Sequence, residues 1–186
     1  MDITKDRLYC EAKNSPTRRA TQSAMAHIAK SMLGLVAPVL TYTVDEILSY
    51  APALFKGDME SVFDLLYVEV PEVKASFDDT LLLEARVKFF EAIDSLKKEK
   101  IIKSTLELEI VGESALFPIC ESKDLEDWFT VSAMNTASKG EALAKFEVEG
   151  NIFTVHKATQ AKCPRCWRFT STSEDCACER CAEVVA

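Results

Sequence analysis

No apolar run in these 186 residues approaches the roughly 20 needed to span a bilayer, and the opening residues hold neither a basic n-region nor an apolar h-region. A reducing cytosol is therefore the expected setting, and structural disulfides are not expected. Glycine is scarce, and none of the five builds a phosphate-cradling loop. Only two histidines occur, His27 and His156, too few and too distant to pair with Cys10 or Cys120 as a nucleophile and its base. Paired carboxylates, internal repeats and low-complexity tracts are also missing. Nothing inside the chain supports an enzyme. Basic residues are outnumbered too, 22 against 30 acidic, and the net charge of −8 argues against a general nucleic-acid coat protein. The ends differ: residues 1–30 carry six Lys/Arg against three Asp/Glu, and residues 156–186 five against four. These are the two places where an anion could dock.

What the chain does have is cysteine in a committed pattern. Cys163-Pro-Arg-Cys166 and Cys178-Glu-Arg-Cys181 are two Cys-x-x-Cys pairs with eleven residues between them. Each two-residue gap makes a tight turn that aims both sulfurs inward, so Cys163, Cys166, Cys178 and Cys181 can close a tetrahedron around one Zn²⁺. Cys176 is a fifth nearby thiol, and Cys178 is preferred to it because it keeps the two-residue spacing. The alternatives are two disulfides, which lack a secretory leader, and a thioredoxin-like redox motif, which lacks a surrounding βαβ pattern. Cys120, in Leu116-Phe-Pro-Ile-Cys120, reads as a core thiol.

Taken in order, residues 1–10 carry no turn signals and read as cut from something longer. Ser15 then serves as N-cap with Pro16 at the first helical position, where its missing N–H costs nothing. Ala24, Met25, Ile28, Met32, Leu35 and Val36 keep helical spacing, predicting one buried stripe on a helix that stops near Ala37, before Pro38. Thr43-x-x-Glu46 predicts a capping box for a shorter helix that Pro52 ends. Two helices on a short link suggest part of a bundle. Pro52, Gly57 and Pro71 mark residues 51–80 as irregular, with a domain boundary near Pro71. Leu82, Phe89, Ile93 and Leu96 mark an amphipathic helix whose other face is Arg86, Lys88, Glu91, Lys97, Lys98 and Lys100. That basic end suits either a solvated helix terminus or a ligand. Alternation of Leu106, Leu108 and Ile110 with Glu107 and Glu109 predicts a half-buried strand. A short helix around Asp124–Trp128, a strand at Phe129–Met134, and a hairpin turning at Gly150-Asn151 complete a small antiparallel sheet. The fold class expected is α+β: a partial helical bundle (residues 1–70), a small sandwich-like α/β domain with an antiparallel sheet (71–158), and a four-cysteine zinc knuckle (159–186).

Around that knuckle stand Arg165, Trp167, Arg168 and Phe169. A rigid metal turn could present such side chains to unpaired bases and phosphates. It could equally be a structural or protein-interaction module in which Trp167 covers the metal core and the arginines are solvated.

A resemblance separates these readings. Asp6-Arg-Leu-Tyr9, Ser15, Arg18-Arg19, Gln22, Ala37-Pro38, Leu40, Thr43 and Asp45-Glu46-Ile47 are similar, in order and spacing, to the anticodon-binding helical domain of isoleucyl-tRNA synthetases, a class I family. Leu48 departs from the tryptophan usual there. Arg86 through Ser104, ending Glu-Lys-x-Ile-x-Ser, resembles the junction domain that follows. Lys162-Cys-Pro-Arg-Cys-Trp167 with Cys178-x-x-Cys181 resembles the bacterial C-terminal zinc module, whereas the valine relative is expected to end in a coiled coil. The resemblance implies a cytoplasmic parent that uses ATP to join isoleucine to its tRNA. It also implies that the His-Ile-Gly-His and Lys-Met-Ser-Lys-Ser segments and the editing domain lie outside this chain; His27-Ile-Ala-Lys30 echoes the first without its glycine. A C-terminal fragment carrying tRNA recognition and no chemistry is the expectation, with one structural Zn²⁺ and with Arg165, Trp167, Arg168, Arg18 and Arg19 as RNA contacts at the anticodon stem-loop. One of Arg18 and Arg19 is expected to meet a carboxylate instead. The alternative is a free-standing zinc-containing RNA-binding or interaction module.

Overall fold

The computed structural model describes residues 2–67, 79–113, 116–117, 122–137 and 140–185. They form two compact units, one within residues 13–74 and one that joins residues of 1–12 to those of 75–186. Residues 2–12, which include the short helix α1 (Lys5–Tyr9), thus group with the later part of the chain rather than with the helices that follow them. The expected boundary at Pro71 and the thiol of Cys120 lie outside the described residues.

In the unit of residues 13–74, α2 (Pro16–Val36) begins with Ser15 at the N-cap position and proline just inside, although the Ser15 side chain makes no capping bond. It ends where Pro38 predicts, with Ala37 still helical in φ and ψ. The expected buried stripe is not buried. Ile28, Met32 and Leu35 are exposed, and the helix instead buries Leu33 against Val44, Leu48 and Val62. Apolar spacing locates a face that could be covered but cannot say whether this unit supplies the cover. The next helix, α3 (Thr41–Tyr50), starts two residues before the expected cap at Thr43. Thr41 Oγ1 donates to the Ala37 carbonyl at 2.8 Å, so the turn between the helices winds directly into α3 and the Thr43–Glu46 box does not form. Leu48, at the position where tryptophan was expected, is fully enclosed in this core. A short α4 (Ala53–Lys56) and a 3-10 turn (Val62–Asp64) complete the unit. That turn is fastened at 2.9 Å by the Asp45 carboxylate accepting from the Val62 N–H.

The other unit opens with α1 and continues with α5 (Asp79–Lys98). As its spacing predicts, α5 buries Leu82, Phe89, Ile93 and Leu96, with Ala85 between them. Then come β1 (Leu108–Val111), α6 (Ser122–Phe129), β2 (Ala133–Asn135), β3 (Ala144–Val148) and β4 (Asn151–Lys157), in a sheet of order β2-β1-β4-β3. The β1–β4 and β4–β3 pairs are antiparallel, but β2 joins β1 in parallel, because α6 returns the chain to the end of the sheet from which β1 started. Phe129 belongs to α6, and the strand expected from that residue begins only at Ala133. The hairpin turns at Glu149-Gly150, one residue earlier than expected: both have positive φ (47° and 78°), the requirement of a two-residue type I′ turn. Leu106 lies in a 3-10 turn capped by Ser104, and Glu109 is buried against expectation, with Asn135 Nδ2 donating to its carboxylate at 3.2 Å. Glu109 lies between Ala133 of β2 and His156 of β4 in the sheet, and a carboxylate buried there needs a partner.

Phe89, Phe129, Phe146 and Phe153 fill the space between α5, α6 and the sheet, Phe146 and Phe153 stacked at 5.1 Å. Trp128 Nε1 donates to the Leu82 carbonyl at 2.9 Å, tying α6 to α5. Beyond the sheet, β5 (Ala161–Lys162) and β6 (Phe169–Ser171) make a small ribbon, and α7 (Glu179–Val185) ends the described chain.

Candidate metal knuckle and the groove beside it

The β5–β6 ribbon carries the first Cys-x-x-Cys pair at its tip. The Cys163 N–H donates to the Arg168 carbonyl at 2.8 Å and the Trp167 N–H to the Cys163 carbonyl at 3.0 Å, which curls the tip tightly. To make that curl, Trp167 takes φ of 65°, a conformation that costs a bulky residue of order 1–3 kcal/mol. The second pair lies at the start of α7, where the Ala182 N–H bonds the Cys178 carbonyl. Together the two turns bring the sulfurs of Cys163, Cys166, Cys178 and Cys181 within 4.8 Å of one another, all four residues buried. These four are positioned to bind a metal ion. Cys176 is exposed and stands outside the cluster, in keeping with the choice of Cys178.

The cluster's electrostatics suit a metal ligand set. Burial by itself would raise the Cys163 thiol, but the N–H groups of Cys166, Cys178 and Arg165 outweigh it and bring it down to about 6. The Cys178 N–H points at its sulfur from 3.3 Å. Burial pushes the Cys166 thiol upward. A cation bound by such a set would favour the thiolate form of its ligands and release protons.

The arginines of the knuckle turn inward. Arg165 Nη1 donates to the Cys10 carbonyl at 2.6 Å and to Cys181 Sγ at 3.4 Å. Arg168, only 6% exposed, pairs with Asp127, with Glu126 at 3.2 Å and with Asp6 at 3.7 Å. Arg180 grips the Asp6 carboxylate with both terminal nitrogens and reaches Glu11 at 3.3 Å. From α1, Arg7 answers with Asp124 at 2.6 Å and Asp127 at 2.7 Å. Burial would raise the Asp6 carboxyl, but the Arg180 hydrogen bond and the charge of Arg168 overcome it and hold the group below its usual range. Burial dominates at Glu126 and raises it. The network clasps α1 between the knuckle and α6. Sequence reasoning missed it, and no spacing could have shown it: Asp6 and Arg180 are 174 residues apart.

Trp167 behaves differently. The residue is 63% exposed, with Lys162 Nζ 5.7 Å from its ring centroid. Arg18 and Arg19 belong to the unit of residues 13–74. Arg18 is half-buried, whereas Arg19 is exposed and reaches Gln22 at 3.3 Å.

Residues 1–111 match the family model described as the anticodon-binding domain of tRNA ligases, and the chain belongs to that family. Over its whole length it is 75% identical to an isoleucine–tRNA ligase of a Sulfurovum species. It is 49% identical to that of a Nitratiruptor species and 47% identical to that of Sulfurimonas denitrificans. In each case the chain spans about 20% of the relative's length. No helix of the described residues is long and apolar enough to cross a membrane.

Proposed function

We propose that this chain is the tRNA-recognising part of an isoleucine–tRNA ligase, acting at the anticodon stem-loop of isoleucine tRNA. The observation that carries this reading is the family match over residues 1–111, joined to relatives of one name along the full chain. The ATP-dependent joining of isoleucine to tRNA, in the cytoplasm, belongs on this reading to the rest of the parent, with catalytic and editing domains outside the 186 residues. Residues 1–70, 71–158 and 159–186 then serve as anticodon-binding helices, junction domain and metal module. The first dozen residues are shared, in sequence with the helices and in packing with the module.

The metal proposed is one structural Zn²⁺ held by Cys163, Cys166, Cys178 and Cys181. A tetrahedron with metal–sulfur bonds of about 2.3 Å has sulfur–sulfur edges of about 3.8 Å. Cys166 and Cys178 stand 3.8 Å apart, which supports the fit. Zinc would cross-link the ribbon to α7 and thereby hold Trp167 outward and Arg165, Arg168 and Arg180 inward. Of the RNA contacts expected, Trp167 is the stacking residue in this reading, with Arg19 and Arg18 contributing from the helical unit. Arg165 and Arg168 act as positioning residues, since their guanidinium groups are engaged with Cys10, Cys181 and the carboxylates. The inward arginines also favour a second role for the knuckle, as a clip for α1.

Filter binding of isoleucine and valine tRNA transcripts to the intact, metal-loaded protein across a salt series tests the reading. Preference for the isoleucine transcript at every salt concentration is expected. Equal binding of both would leave only a generic RNA-binding module.

A further inference from the structure

Five cysteines, not four, meet at the knuckle. Cys10, just past the end of α1, is buried in one cluster with Cys163, Cys166, Cys178 and Cys181. It stands outside the set whose sulfurs lie within 4.8 Å of one another, and a tetrahedral metal has no place for a fifth ligand. Cys10 is nevertheless held against the ligands from two directions. Its Sγ–H points at the Arg165 carbonyl, 4.0 Å away, in the peptide that leads into Cys166. The Arg165 guanidinium returns the contact on the Cys10 carbonyl at 2.6 Å. The bonds of Arg180 to Asp6 and of Arg7 to Asp124 and Asp127 fix the helix that carries it, so Cys10 has little freedom left to lose on reacting with a neighbour.

A cavity of about 830 Å³ reaches the same place, lined by the unit that contains α1, α5 and the metal module. Tyr9, Lys97 and Lys103 on its walls are exposed, so water enters it. Of the five clustered cysteines, Cys10 and Cys166 line it. Hydrogen peroxide, small and uncharged, follows the path of water to those two sulfurs. They differ in what they are free to do. Cys166 belongs to the ligand set and reacts as a thiolate, the nucleophilic form of the group. Cys10 is, among the described residues, the thiol of this cluster that no ligand role occupies, and it remains available when a ligand is oxidised. Cys176 is exposed and stands outside the cluster.

We propose that Cys166 and Cys10 form an oxidant-sensitive pair, in which hydrogen peroxide oxidises Cys166 and Cys10 resolves it as a disulfide. The Cys166 thiolate attacks one peroxide oxygen, the O–O bond breaks, and a sulfenic acid and hydroxide form. The Cys10 sulfur then attacks the sulfenic sulfur. An S–S bond forms as the S–O bond breaks, and the departing hydroxyl takes the Cys10 proton and leaves as water. The two sulfurs give up two electrons, and the peroxide accepts both. The disulfide removes one metal ligand and ties α1 covalently to the ribbon tip. In a reducing compartment such a bond is transient and reverses by thiol exchange. The inference stands apart from RNA binding and draws on the metal reading for the loss of zinc.

The test treats the intact, zinc-loaded protein with hydrogen peroxide, alkylates the remaining thiols and maps disulfides by mass spectrometry without reduction, while a chromophoric chelator follows zinc. Trypsin cuts after Arg165 and so separates Cys163 from Cys166. The Cys10 peptide should appear joined to the Cys166 peptide, lighter by two hydrogens than the free pair, with zinc lost in step. Dithiothreitol should restore both thiols and, with added zinc, the metal content. Cys176→Ser should form the same link as the native protein. In Cys10→Ser the unresolved Cys166 should proceed to the sulfinic acid, which dithiothreitol does not reverse, so its zinc should not return. Cys10 recovered in alkylated form after zinc has been lost, with disulfides confined to the four ligands, overturns the proposal. If the untreated protein carries no zinc and the Cys10–Cys166 link still forms, the metal reading is refuted and the thiol pair stands.

Discussion

Replacing Arg168 by methionine keeps most of the side-chain volume in place and deletes the charge on which α1, α6 and the knuckle converge. In the native protein its guanidinium faces Asp127, whose side chain is fully buried, together with Glu126 and Asp6. Removing one partner of a buried pair costs about 3–5 kcal/mol, because the other charge stays enclosed without compensation. Asp127 keeps Arg7 at 2.7 Å and Asp6 keeps Arg180, so the lower end, about 3 kcal/mol, applies here. The four cysteines and the Cys163 N–H bond to the residue-168 carbonyl are untouched, so metal content should not change. Amide hydrogen exchange in the intact protein is the appropriate assay, since a loss of about 3 kcal/mol in a local opening speeds exchange by roughly 100-fold. The Cys10 N–H, bonded to the Asp6 carbonyl at 2.8 Å, should report it, whereas amides of α3 should not. Pairing Arg168→Met with Asp127→Asn gives a cycle whose coupling should exceed about 0.5 kcal/mol. Additive effects, or unchanged protection at Cys10, would refute the clasp.

Other perturbations reach different parts of the molecule. Metal analysis should find one zinc per chain in the native protein and in Cys176→Ser, and a loss in Cys178→Ser; retention in Cys178→Ser with loss in Cys176→Ser would reverse the ligand assignment. Chelation should raise exchange in residues 161–182 and in α1 while leaving α5 protected, because structural zinc contributes folding free energy to its own module. Gly112→Ala should destabilise the sheet unit by about 1–3 kcal/mol in urea unfolding, since a Cβ there would overlap the buried Phe153 ring. Asp6 has a depressed folded pKa, so its contribution is fully present above the ordinary carboxylate value of 3.8 and is lost as pH falls through the lower, folded value. Exchange at α1 should therefore accelerate below about pH 4, and Asp6→Asn should abolish that acid-dependent step.

Periodicity and turn chemistry located what local physics controls. The run from Leu82 to Leu96 names the buried face of α5 because its spacing keeps those side chains on one side of the helix, while Leu83 and Val87 are apolar too and lie exposed. Pro16, Pro38 and Pro52 mark helix limits because a fixed φ and a missing N–H act within one or two residues. The cysteine spacing named the ligand cluster because a two-residue turn constrains its own sulfurs. Where the outcome hung on which partner arrives, the sequence was silent. Ile28 and Met32 have the spacing of a core and lie exposed, while Leu33 is buried because Val44, Leu48 and Val62 meet it on the other side. Thr43-x-x-Glu46 is a valid cap, yet a helix already wound from Thr41 leaves it nothing to cap. β2 runs parallel to β1 through the return path of α6, which no alternation pattern within either strand encodes. Above all, Arg165 and Arg168 read in sequence as side chains offered to RNA, and folding turned them onto the Cys10 carbonyl and the carboxylates of α6 and α1. Charge can be counted along a chain, but whether an arginine meets water, a phosphate or a buried aspartate is decided by which segments the tertiary fold stacks around it.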